Sequence, residues 1–132
     1  MLSLIRGLPG SGKSTFAKKL NKLTGAIHLE ADMYFMKNGV YEFDKEKISL
    51  AHRWCLDTAR IFLNQGYNVV VSNTFTQKWE MENYITVASE AGSPTEIYRC
   101  TQNYGSLHNV PEETLKKMQA RFEDIENEQK VI

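Results

Sequence analysis

Gly7-Leu8-Pro9-Gly10-Ser11-Gly12-Lys13-Ser14 have the types and spacing needed to hold a phosphate group. Glycines let successive backbone N–H groups turn inward around an anion, and a helix starting directly after them adds its positive dipole end. Lys13 can then reach the β- and γ-phosphates of a nucleotide as a point charge, and Ser14 can offer its hydroxyl to Mg²⁺. The expected ATP-binding residues are Gly7, Pro9, Gly10, Ser11, Gly12, Lys13, Ser14 and Thr15, with Ser14 the expected metal ligand. The pattern is a P-loop, and it carries this chemistry where a strand precedes it and a helix follows.

A phosphate cradle does not by itself name a reaction. GTPase switches need an Asn-Lys-x-Asp string to read the base, and none occurs here. Motor and transporter ATPases need a larger chain and an apolar strand ending in Asp, whereas Val69-Val70-Val71 runs into Ser72-Asn73. A kinase for a small substrate or a nucleic acid fits the size. Such a kinase needs a carboxylate near the acceptor hydroxyl, in line with the γ-phosphorus. Asp32, just past a predicted strand, is the candidate general base and Glu30 the runner-up. The alternatives for Asp32 are a residue of the outer Mg²⁺ shell or a simple turn residue.

The elements that must position these residues can be read from the apolar pattern. Leu2 to Arg6 reads as a strand buried on both faces. Phe16, Ala17, Leu20 and Leu23 recur at helical spacing over Ser14 to Leu23, with Gly25 closing the segment. Ala26 to Glu30 reads as a second strand, followed by an aromatic-rich loop over 31–43 with an Asn38-Gly39 turn. Asp44 is the expected N-cap of a long helix ending at Gly66, with Ile48, Ala51, Cys55, Ala59, Phe62 and Leu63 on its buried stripe. Val69 to Val71 is a third strand, Lys78 to Ala91 a helix, and Thr95 to Arg99 a fourth strand. A polar loop over 101–110 leads to a last helix opened by Pro111, where Glu112 and Glu113 suit the positive dipole end. This β-α alternation predicts an α/β P-loop NTPase fold with three layers. A parallel sheet of about four strands would carry helices on both faces, within one domain over 1–132. Ligands of such sheets sit outside the C-terminal strand ends, where 7–15, Asp32 and 72–75 would converge.

Lys plus Arg and Asp plus Glu both number 16, so no global basic field draws the chain onto nucleic acid, and any such contact must be local. The two cysteines, Cys55 and Cys100, lack metal-site spacing and read as buried thiols. The apolar start, Met1 to Ile5, is too short for a signal peptide or a membrane span. The expected setting is the cytoplasm, with no membrane and no evident protein partner.

The P-loop, Glu30-Ala31-Asp32-Met33-Tyr34, the strand end Ser72-Asn73-Thr74, and Asn109-Val110-Pro111 before a helix bearing Met118 and Arg121 together resemble a known family. They are similar to the 5′-kinase domain of phage polynucleotide kinase. They look closer still to its small relatives, the NEDD4-binding-protein-like kinases and the phage kinases that phosphorylate 5-hydroxymethyluracil in DNA. The resemblance implies that the Asp matching Asp32 is the general base and that an Arg-bearing lid before the last helix closes on ATP. Here Asn73 stands where the polynucleotide kinase has an Asp, and the lid over 101–110 holds only His108 in place of Lys or Arg. Arg99 or Arg121 is left to neutralise the developing charge, and Arg121 is taken as the catalytic candidate beside Asp32 and Lys13.

Tyr34, Phe35, Tyr41, Phe43, Phe75 and Trp79 crowd the two loops flanking the expected acceptor site; some of them are expected to be core, and the others could stack a base for ~1–3 kcal/mol per aromatic. In the polynucleotide kinase an Arg follows the Asp-Asp-Tyr segment, whereas Phe35 stands here, which favours recognition of a base. The leading reading is an ATP- and Mg²⁺-dependent kinase acting on a hydroxyl of nucleic acid, best the hydroxymethyl group of 5-hydroxymethyluracil in DNA. The alternatives are a 5′-hydroxyl polynucleotide kinase, a small-metabolite kinase, or a nucleotide-binding regulatory module without turnover.

Overall fold

The computed structural model describes residues 1–102 and 111–131. In chain order it contains β1 (Leu2–Arg6), α1 (Lys13–Thr24), β2 (Ile27–Leu29), a 3₁₀ turn (Ala31–Phe35) and a hairpin of β3 (Met36–Lys37) and β4 (Val40–Tyr41). A second 3₁₀ turn (Lys45–Lys47) then leads into α2 (Ile48–Asn64), β5 (Val69–Ser72), α3 (Trp79–Glu90), β6 (Thr95–Cys100), α4 (Glu112–Arg121) and β7 (Glu128–Val131).

The main sheet has the order β2-β5-β1-β6-β7, and every pairing in it is parallel. It therefore has five strands where about four were expected. The added edge strand, Glu128–Val131, pairs with β6 from Ile97↔Glu128 to Cys100↔Val131.

Side chains alternate across the sheet with the two-residue period of a strand. Leu2, Leu4, Val69 and Val71 join Ala51, Cys55, Ala59 and Leu63 of α2 and Met81, Tyr84, Val87 and Ala88 of α3 in one core. Ile5 and Val70 face the other way, onto Ala17, Phe16 and Leu20 of α1. Each of these large apolar side chains contributes ~1.5–3 kcal/mol by leaving water. The two cores make the three layers that the β-α alternation implies.

Some expected core positions are not core. Leu23 is 82% exposed, one turn beyond the part of α1 that touches the sheet. Ile48 is also exposed, because α2 starts there and only its next turn, at Ala51, reaches the core. Asp44 caps the short 3₁₀ turn before α2 rather than α2 itself, accepting from the Glu46 amide at 3.0 Å. The Asn38-Gly39 signal is met by a tight hairpin turn with positive φ at both residues, 52° and 81°. Cys55 and Cys100 are both free and buried, and burial pushes both thiols up. Among the described residues no helix is long and apolar enough to cross a membrane.

Candidate active site

Gly7 to Gly12 link the C-terminal end of β1 to α1, as a phosphate loop requires. Gly12 caps α1 with φ 93°, a conformation costly for a residue with a Cβ. A Cβ on Gly7 would stand 2.3 Å from Ser11 Oγ and 2.9 Å from the Cys100 carbonyl, so only glycine lets the loop close this tightly. The Gly7 amide donates to the Thr74 carbonyl at 3.2 Å, tying the loop to the segment after β5. Ser11 Oγ is buried with no hydrogen-bond partner among the described residues. An unpaired buried hydroxyl inside a ring of glycines fits a site built for an anion.

Lys13 folds back over the loop and donates from Nζ to the Leu8 carbonyl at 3.0 Å. Burial pushes its ammonium down, while the charges of Glu30, Cys100 and Asp32 pull it up. Both carboxylates therefore lie within electrostatic reach of the residue that would meet the β- and γ-phosphates. Ser14 donates to Glu30 Oε1 at 2.7 Å, and Ser72 donates to the same oxygen at 2.8 Å. His28 Nε2 lies 3.2 Å from it and 3.0 Å from Ser72 Oγ. Burial pushes the Glu30 carboxyl up, but hydrogen bonds from His28, Ser14 and Ser72 outweigh it and bring the group down to about 2. Sequence reasoning missed His28, and it placed Ser72 at the site without giving its hydroxyl a role. The available signal was spacing: residues 28 and 30 share one face of the β2 line, and β5 runs beside it with Leu29 opposite Val71.

Asp32 sits exposed in the 3₁₀ turn after β2, and Tyr41 of the hairpin donates to its Oδ1 at 3.0 Å. Burial and the Asp32 carboxylate push the Tyr41 phenol up to about 12, so it remains a donor throughout the physiological range. Tyr41 and Phe43 stack at 6.5 Å with planes 17° apart, and both are about half exposed. The other aromatics assigned to the acceptor site are placed differently. Phe35 and Phe75 are 4% and 2% exposed and belong to the core, and Tyr34 packs against the same core. Trp79 is exposed at the start of α3, with its indole donating to Gln77. Phe35 therefore fills the core and does not face a base.

Asn73 is buried and accepts from the Ala31 amide at 3.0 Å, which fixes the residue before Asp32. Its Nδ2 has no partner among the described residues, and neither has the Tyr84 hydroxyl. A neutral amide is the tolerable choice at this depth, because an unpaired carboxylate there would be far more costly.

Arg99 is engaged elsewhere: it pairs with Asp124 and, at 3.1 Å, with Glu128. Arg6, which ends β1, is 0% exposed; it donates to the Phe75 and Thr76 carbonyls and pairs with Glu128 at 2.5 Å. The Phe122 ring lies 4.1 Å from the Arg6 guanidinium and 4.6 Å from that of Arg99. Arg121 is exposed at the last position of α4. His108 lies outside the described residues. A cleft of about 240 Å³ opens beside the loop, lined by Leu8, Ser11, Arg99, Cys100, Gln119 and Phe122. Among the described residues no three His, Cys, Asp or Glu side chains gather as a metal cage. The oxygen donors of Ser14 and Glu30 suit Mg²⁺, which binds through few protein ligands together with substrate phosphates.

A parallel sheet in this order, with a glycine loop between β1 and α1 and a lysine and serine at the helix start, defines the P-loop kinase-like fold. Residues 2–103 match the AAA domain family AAA_33, and the chain belongs to it. NEDD4-binding protein 2 of Homo sapiens is 37% identical over 92 residues, which cover 68% of this chain but only 5% of that protein. A sugar kinase from Janibacter sp. superposes with TM-score 0.68 and 17% identity, covering 98% of this chain and 82% of that one. Kti12 from Chaetomium thermophilum, solved in complex with ADP-AlF3, gives TM-score 0.67 and 12% identity, covering 99% and 88%. At such identities the two structures speak for the fold alone.

Proposed function

We propose that the chain is an ATP- and Mg²⁺-dependent kinase. It would pass the γ-phosphate to a hydroxyl of nucleic acid, and the first substrate to test is 5-hydroxymethyluracil in DNA. The observation that carries this reading is the exposed Asp32 carboxylate, within the field of Lys13 and oriented by Tyr41. Bound Mg²⁺-ATP supplies the transferable phosphoryl group and part of the charge neutralisation. The amides of 7–15 and the Lys13 ammonium hold the phosphates. Asp32 takes the proton of the acceptor hydroxyl as its oxygen bonds to phosphorus, and ADP leaves. The cleft lined by Leu8 and Phe122 gives space for the nucleoside.

The stacked Tyr41 and Phe43 beside Asp32 support an acceptor with a flat face, since each stacked base gains ~1–3 kcal/mol. A 5′-end kinase grips neighbouring phosphates, which calls for Lys or Arg. The side chain that meets Asp32 is the aromatic Tyr41, with Phe43 stacked on it. A base kinase must draw one base out of the stack at a cost of a few kcal/mol, and aromatic faces can offset that.

The test uses labelled ATP and three acceptors: an oligonucleotide with internal 5-hydroxymethyluracil and a phosphorylated 5′ end, the matching thymine oligonucleotide, and one with a free 5′-hydroxyl. Label on the first alone supports the proposal. Label on free 5′ ends alone replaces it with a 5′-kinase, and label on none of them but on sugars replaces it with a small-metabolite kinase.

A further inference from the structure

The end of β5 is where P-loop NTPases place the aspartate that works with the loop Ser or Thr on Mg²⁺. Here that strand ends in Ser72, followed by Asn73, so neither residue brings a carboxylate. Asn73 Oδ1 is already occupied by the Ala31 amide.

We propose that Glu30, from the neighbouring strand, supplies the carboxylate of the Mg²⁺-nucleotide site in place of that aspartate. The proposal rests on the kinase reading above. Its support is the distribution of hydrogen bonds over the two Glu30 oxygens. Ser14, Ser72 and His28 all converge on Oε1. Among the described residues none meets Oε2, which leaves that oxygen for a cation. Ser14 has one proton, and committing it to Glu30 turns the lone pairs of Oγ outward, as a metal ligand needs. The Ser72 hydroxyl, standing where the aspartate would be, becomes a donor that steadies the relocated carboxylate.

The same contacts separate the two candidate acids. Glu30 Oε1 is already crowded by Ser14, Ser72 and His28, whereas the exposed Asp32 carboxylate meets only Tyr41 among the described residues, which suits Glu30 to a ligand and Asp32 to a general base. Glu30 and Asp32 are two residues apart in sequence and divide the work: Glu30 for the cation, Asp32 for the acceptor.

The test is calorimetric titration of ATP into the protein with Mg²⁺ and with EDTA, each variant first checked for a cooperative thermal melt. Wild type should bind more tightly with Mg²⁺. Glu30→Gln should lose about tenfold or more of the Mg²⁺-dependent gain, read as the ratio of the affinity with Mg²⁺ to that in EDTA. The double variant Glu30→Gln with Ser72→Asp returns a carboxylate to the end of β5 and should recover the gain. If Glu30→Gln keeps the wild-type ratio, the assignment is overturned while the kinase reading stands. A folded double variant that recovers nothing limits Glu30 to bracing Ser14 and Ser72, and also overturns it. If wild type binds ATP in neither buffer, the kinase reading fails and this one fails with it.

Discussion

Asn73 Oδ1 accepts the backbone proton of Ala31 at 3.0 Å, so the end of β5 sets where the turn bearing Asp32 begins. The bond crosses between two strand ends whose residues are 42 apart in sequence. It gives the amide at position 73 a mechanical task that needs no charge. Asn73→Ala should leave a buried N–H unpaired and cost ~1–3 kcal/mol, read as a lower urea midpoint. It should also lower kcat more than it raises KM for ATP. A variant with normal stability and normal kcat would show that Asp32 is positioned by something else.

Lys13→Ala should cut phosphoryl transfer to less than a tenth of the native rate, because it removes the charge bridging the β- and γ-phosphates. Steady-state rates above that level would refute the cradle assignment.

Asp32→Asn should lower kcat by roughly 10²-fold or more while ATP affinity stays near wild type, since a general base acts on the acceptor. Calorimetry that finds ATP·Mg²⁺ binding equally damaged would move Asp32 into the metal shell.

The Tyr41 phenol, pushed up by burial and by its contact with Asp32, should keep its proton through pH 10 and titrate near about 12. Carbon-13 shifts of labelled tyrosine rings can follow this. In Asp32→Asn the carboxylate that opposes the phenolate is gone, so ionisation should come at lower pH. An unchanged midpoint would mean that the two side chains do not pair in solution.

Arg121→Ala should slow turnover more than His108→Ala, because a neutral imidazole brings little charge to a transferring phosphoryl group. Arg99 is already committed to Asp124 and Glu128, which leaves Arg121 as the candidate. The opposite order of rates would reverse the assignment.

Much of this was legible in the sequence because local signals and tertiary demands agreed. The glycine pattern, the Val69–Ser72 run and the Asn38-Gly39 turn each carry a backbone requirement that only certain residues meet. Three features escaped for physical reasons. Leu2 to Arg6 read as a buried strand, but nothing local shows what satisfies the wholly buried Arg6 guanidinium, because Glu128 and two carbonyls do so from positions remote in sequence. The strand Glu128–Val131 is half-exposed at an edge and mostly polar, so it has no strong apolar alternation to betray it. Phe35 and Tyr41 could not be told apart by type, since one fills the core and the other faces solvent, and only the packing of the 3₁₀ turn decides which.

The ion pair between Arg6 and Glu128 joins residues 122 positions apart, and Arg6 directly precedes the phosphate loop. During synthesis Arg6 leaves the ribosome 122 residues ahead of Glu128, and until Glu128 has been made the guanidinium behind the loop stays without its carboxylate. An unpaired charge cannot settle in the interior at low cost. The first strand therefore cannot seat fully, and a nascent chain carrying a complete P-loop sequence would not yet grip a nucleotide. Ribosome-bound chains stalled before and after residue 128 should differ in nucleotide retention.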